Sequence, residues 1–154
     1  MDSPPPLLYW LDKITHFLWV RGDPGKGKTI LLISIIKSLL KSPLESTDLS
    51  FFFCQETDAD LNNVIVVLRG LMYQLIGQCP SLIKHLREEY DKSGPKLFEG
   101  SNAFVAMSNI LTKMLRDPTL DQVYLVLDAL DGCRYGLEQL LKFIIKSLSS
   151  SSQV

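Results

Sequence analysis

Gly22-Asp23-Pro24-Gly25-Lys26-Gly27-Lys28-Thr29 matches G-x-x-x-x-G-K-[ST], the pattern of a loop that cradles phosphate groups. Its glycines let the backbone curl until successive N–H groups point inward, and a helix opening directly behind the loop adds about half a positive charge. The Lys28 ammonium is placed to bridge terminal phosphates, and the Thr29 hydroxyl to hold Mg²⁺. The flanks agree with this reading. Phe17-Leu18-Trp19-Val20 is a continuous apolar run of the kind that makes a strand covered on both faces. After the loop, Ile30, Leu31, Ile33, Ile35, Ile36, Leu39 and Leu40 form a helix that is apolar nearly all round until Pro43 stops it.

Working outward, Leu49-Ser50-Phe51-Phe52-Phe53-Cys54 reads as a second buried strand. Positions 61, 64, 65, 68, 71, 72, 75 and 76 are apolar at helical spacing, and Pro80 ends that helix. A shorter helix is expected from Ser81 to about Tyr90, then a loop at Ser93-Gly94-Pro95, then a helix capped by Ser101 and carrying Phe104, Met107, Ile110, Leu111, Met114 and Leu115. Val123-Tyr124-Leu125-Val126-Leu127 is a third strand, Leu137 to Leu148 a last amphipathic helix, and Ser149 to Ser152 a flexible linker. Ahead of the loop, Pro4-Pro5-Pro6 reads as an extended entry to a short helix over Leu7 to Phe17. Strands alternating with long helices point to an α/β fold: a parallel sheet between two helical layers.

The third strand ends in Asp128, within Leu127-Asp128-Ala129-Leu130-Asp131. Ligands of parallel α/β sheets bind at the carboxyl ends of the strands, so Asp128 is expected to hold, directly or through water, an Mg²⁺ also held by Thr29. Asp131 is the expected group for orienting an attacking water, although Asp131-Gly132 also reads as an ordinary turn. Arg69 on the long helix is read mainly as a solvated or salt-bridged arginine, with phosphate sensing as the lesser alternative.

Composition narrows the classes further. Sixteen Lys+Arg against seventeen Asp+Glu leave a net charge of −1, so no bulk positive field recommends nucleic acid or an anionic membrane as partner. The 154 residues amount to one domain, and 46% hydrophobic content is too apolar for a disordered tail. Cys54, Cys79 and Cys133 are odd in number, widely spaced and without a CxxC, which fits reduced thiols of an intracellular protein, cytoplasmic or nuclear, better than disulfides or zinc. Met1-Asp2-Ser3 lacks the basic start of a signal peptide, and no apolar run reaches the ~18 residues of a membrane span. His16 and His85 stand apart from other ligand types and read as surface or satisfied histidines; Lys84, His85, Arg87, Glu88 and Glu89 read as a wet helix face.

These residues resemble the NACHT division of the STAND nucleoside triphosphatases, and within it fungal NOD-like receptors with a nephrocystin-like N-terminal module. The resemblance is carried by residues 18–29, Phe52-Phe53-Cys54-Gln55, Leu61-Asn62-Asn63, Val67-Leu68-Arg69-Gly70-Leu71, Pro80-Ser81-Leu82-Ile83 and Tyr124 through Asp131. It implies a three-layer P-loop NTPase fold over residues 17–148, after a lead segment 1–16 and before residues 149–154, a serine-rich tail or the start of a further strand. It implies a switch that binds ATP or GTP with Mg²⁺, the nucleotide lying against Gly22, Asp23, Pro24, Gly25, Lys26, Gly27, Lys28 and Thr29. Gly132 stands where fungal members usually carry Glu, and the strand bearing a further polar sensor would only begin at Gln153-Val154, so weak or absent hydrolysis is expected. The alternative expectation is an interaction module with a vestigial pocket, self-associating or docking to related NACHT proteins through apolar faces left bare beside Leu18, Val20, Tyr124 and Val126.

Overall fold

The computed structural model describes residues 25, 27–41, 47–55, 57–58, 62–120, 122–130, 133 and 136–151. Within them α1 spans Lys28–Lys41, β1 Thr47–Phe53, α2 Val64–Gln78, α3 Ile83–Ser93, α4 Ala103–Leu115, β2 Gln122–Asp128 and α5 Leu137–Ser151. Short 3₁₀ turns at Pro80–Leu82 and Gly94–Phe98 lead into and out of α3. The expected strand over Phe17–Val20 and the helix over residues 7–17 lie outside the described residues.

β1 and β2 pair in parallel, from Thr47 opposite Gln122 to Phe53 opposite Asp128. A parallel neighbour needs a long crossover, supplied here by α2, α3 and α4. Strand alternation then sorts the side chains. Leu49, Phe51, Phe53, Tyr124 and Val126 turn to α1 and join its Ile35, Ile36 and Leu39. Phe52, Cys54, Val123 and Leu127 turn the other way, into a larger core built from Val67, Leu68, Leu71 and Leu75 of α2 and Met107, Ile110, Leu111 and Met114 of α4. The described sheet thus carries helices on both faces. Tyr124 and Val126 pack against α1 on one face of the sheet; Leu18, Val20 and Gln153-Val154, on which the expected bare slot depends, lie outside the described residues.

The outer edge of β1 is closed by side chains. Gln78 accepts from the Leu49 N–H at 2.9 Å and donates to the Leu49 carbonyl at 2.6 Å. Gln74, one turn earlier, does the same for Phe51, at 2.9 and 2.8 Å. Glutamines four apart on a helix lie on one face about 6 Å apart, close to the spacing of alternate residues along a strand, which lets one helix serve as a substitute strand. The buried Ser50 hydroxyl adds a third tie, to the Leu71 carbonyl at 3.0 Å.

Three local expectations change. Ser101 does not cap α4; Asn102 occupies the cap position, and it does so without a side-chain hydrogen bond. Ser93-Gly94-Pro95 is not an open loop but enters a 3₁₀ turn, since Pro95 fixes a turn-compatible backbone and needs no N–H partner there. Ser149–Ser151, read as linker, continue α5: a helix already formed extends through serines at little cost. By contrast, α2 is capped as a helix should be, with the Asn63 side chain accepting from Ile65 N–H at 2.8 Å.

Candidate functional site

α1 begins where the glycine-rich motif ends. The Leu31 N–H donates to the Gly27 carbonyl at 2.9 Å, which makes Gly27 the cap and leaves the Lys28, Thr29 and Ile30 amides as the first-turn donors of the helix. Gly25 and Gly27 both have φ of 80°, a conformation that β-carbon-bearing residues pay to enter. No acidic side chain sits in the first turn of α1 to quench its positive end.

β2 brings the second half. In register with Phe53, Asp128 ends the strand on the α1 side of the sheet. Thr29 Oγ1 donates to Asp128 Oδ2 at 2.7 Å, across 99 residues of sequence. The other carboxylate oxygen, Oδ1, accepts from the Ala129 N–H at 2.8 Å. Ala129 holds a φ of 55°, the one positive value among the described non-glycine residues, at a cost of about 1 kcal/mol.

Of the residues expected at the site, the structure therefore describes Gly25, Gly27, Lys28, Thr29 and Asp128, and it joins Thr29 to Asp128. Gly22, Asp23, Pro24, Lys26 and Asp131 lie outside the described residues. Arg69 is exposed on α2, the helix covering the opposite face of the sheet from α1, and is not brought to Thr29 or Asp128. Two hydroxyl and carboxylate oxygens at this spacing suit a small hard cation such as Mg²⁺, which prefers oxygen ligands. No group of three or more His, Cys, Asp or Glu suited to a metal occurs among the described residues.

A second polar cluster escaped sequence reading. Asp117, whose side chain is 1% exposed, accepts from Lys84 at 2.7 Å and from His85 at 2.6 Å through Oδ2. Its Oδ1 accepts from the Thr119 N–H at 2.9 Å and the Thr119 hydroxyl at 2.7 Å. The Lys84 ammonium above all, with Thr119 and His85, holds the Asp117 carboxyl far below the usual range. Lys84 and His85 are thus clasps between α3 and the turn after α4, not merely a wet face. Nothing in the local sequence joins His85 to a residue 32 positions on.

The site and sheet define a mixed α/β module whose helix-start threonine and strand-end aspartate meet at the carboxyl edge of a parallel pair. The chain belongs to the nephrocystin 3, N-terminal family, which matches residues 5–154. It is also 50% identical over 139 residues to the vegetative incompatibility protein HET-E-1 of Podospora anserina, a match covering 90% of this chain. The chain spans about a tenth of that relative's length (10%). No solved structure matches significantly. No helix among the described residues is long and apolar enough to cross a membrane.

Proposed function

We propose that the chain is the nucleotide-binding module of a NACHT-type STAND signalling protein with a three-layer P-loop NTPase fold, acting in the cytoplasm. The Gly22-to-Gly27 loop and the first-turn amides of α1 wrap the phosphates of ATP or GTP, and Lys28 neutralises them. Thr29 and Asp128 hold Mg²⁺, and Asp131 orients water where hydrolysis occurs, which is weak or absent here. The observation that supports this reading best is the 2.7 Å hydrogen bond from Thr29 to Asp128: it brings together the two oxygen donors that the two motifs supply separately. Kinship with a vegetative incompatibility protein favours a role in a signalling response of that kind.

The alternative, a self-associating module with a vestigial pocket, would draw support from bare sheet edges. The Gln74 and Gln78 amides close the outer edge of β1 and remove that support on one side. Titration of the chain with labelled ATP and GTP, with and without Mg²⁺, tests the proposal. Mg²⁺-dependent saturable binding is expected; no binding to either nucleotide would overturn it.

A further inference from the structure

Cys54 and Cys133 stand 79 residues apart in sequence, yet their sulfurs meet at 3.1 Å. Both are about 4% exposed and both belong to the larger core, beneath the edge of the sheet that carries Asp128. They are not joined by a disulfide. Their backbones are held at and just beyond the end of β2: the Cys54 N–H donates to the carbonyl of Asp128, the last residue of β2, at 3.0 Å, and the Cys133 N–H to the Leu130 carbonyl at 3.0 Å. The third cysteine, Cys79, is occupied elsewhere, with its sulfur against the hydroxyls of Ser81 and Thr119.

We propose that Cys54 and Cys133 form a redox site, a reversible intramolecular disulfide that staples the end of β1 to the segment following Asp128. A covalent S–S bond is about 2.05 Å long, so the sulfurs need to close by only about 1 Å. The oxidant is a hydroperoxide. One thiolate attacks a peroxide oxygen; the O–O bond breaks, the departing oxygen takes a proton and leaves as water or alcohol, and the sulfur becomes a sulfenic acid. The second sulfur then attacks the first; the S–O bond breaks, and the hydroxyl departs as water with the second thiol's proton. Two thiols lose two electrons to one peroxide, and the disulfide results. Burial in an apolar core excludes bulky disulfides such as oxidised glutathione, so the site selects a small oxidant. Reversal takes a small dithiol by thiol–disulfide exchange.

Ordinary core cysteines would share the burial, since a thiol behaves as a small hydrophobe. Their juxtaposition, and the hydrogen bond from one of them to the residue that carries the candidate cation ligand, set this pair apart. In its oxidised form the bridge pins both sides of the Asp128 turn, and the large loop it closes restricts the unfolded chain.

The 154-residue chain, treated with hydrogen peroxide, alkylated and mapped by peptide mass under non-reducing conditions, tests the site. A Cys54–Cys133 linked peptide is expected in the monomer, with a higher thermal midpoint, both reversed by dithiothreitol. The crosslink should persist in Cys79→Ser and vanish in Cys133→Ala; where the latter fails to fold, the wild-type peptide map decides. Links to Cys79, disulfide-joined dimers, sulfinic acid without a crosslink, or an unchanged midpoint in the crosslinked monomer would each overturn the proposal. None of these readouts involves nucleotide, so the staple and the nucleotide site stand or fall separately.

Discussion

Thr29 Oγ1 and Asp128 Oδ2 lie 2.7 Å apart with one proton between them. A cation held here, as proposed, would take these two oxygens as ligands in place of that hydrogen bond; Asp128 Oδ1 already accepts from the Ala129 amide. Asp128→Asn should therefore remove the Mg²⁺ dependence of nucleotide binding more than the phosphate affinity itself. Calorimetry with and without Mg²⁺ checks this; equal losses in both conditions would make Asp128 a structural residue.

Lys28→Ala should lower affinity for ATP or GTP at least about tenfold, ~1.4 kcal/mol, because an ammonium–phosphate contact is charge-assisted. The fold should survive, since Lys28 opens a helix whose buried residues are Ile35, Ile36 and Leu39. Unchanged affinity alongside an unchanged far-ultraviolet spectrum would remove Lys28 from the site.

Turnover should be negligible even where binding is measurable, given Gly132 at the position where the resemblance to fungal NACHT proteins implies Glu. Phosphate release under multiple-turnover conditions, compared with Lys28→Ala as background, is the measurement. Release well above that background would show that Asp131 suffices.

Gln78→Ala and Gln74→Ala should each destabilise by about 1–3 kcal/mol, since each strips partners from a backbone N–H and carbonyl of β1. The double variant should also associate through the opened strand edge. Urea unfolding and sedimentation measure the two effects. Full stability in the double variant would mean that water serves the edge equally well.

Asp117 gives the fold a pH dependence of known sign. Its carboxyl is depressed in the folded state, chiefly by Lys84, so it contributes stability above the unfolded carboxyl range, near pH 4, that is lost as the pH falls toward the folded value. Asp117→Asn should flatten the acid limb of a stability-versus-pH curve. An identical slope in the variant would assign acid lability elsewhere.

The elements that sequence made legible are those with strong internal signals. α2 shows apolar periodicity ended by Pro80, α1 an apolar stretch nearly all round ended by Pro43, and β2 an unbroken apolar run ended by Asp128. The Thr29–Asp128 pairing was also legible, because two motifs each imply a place at the same end of a sheet. What stayed hidden depended on contacts between distant positions carried by residues with no pattern of their own. Gln74 and Gln78 look like ordinary polar helix residues until a strand edge lies beside them. Cys54 and Cys133 read as separate thiols until the sheet sets their backbones around Asp128. Serines at 149–151 were read by composition, whereas continuing a helix depends on what precedes them.

The glutamine clamps also make α2 and β1 mechanically one piece. Sliding the helix by a single residue along the strand would break four hydrogen bonds at once, and the Ser50 tie to Leu71 would go with them. α1, on the other face, packs on the strands through the side chains of Ile35, Ile36 and Leu39 and is tied to β2 by the hydrogen bond from Thr29. Apolar contact tolerates small displacement where a ladder of amides does not. Any movement that a ligand at the sheet edge evokes should therefore fall on α1, with the α2–β1 slab serving as the fixed anvil against which that helix shifts.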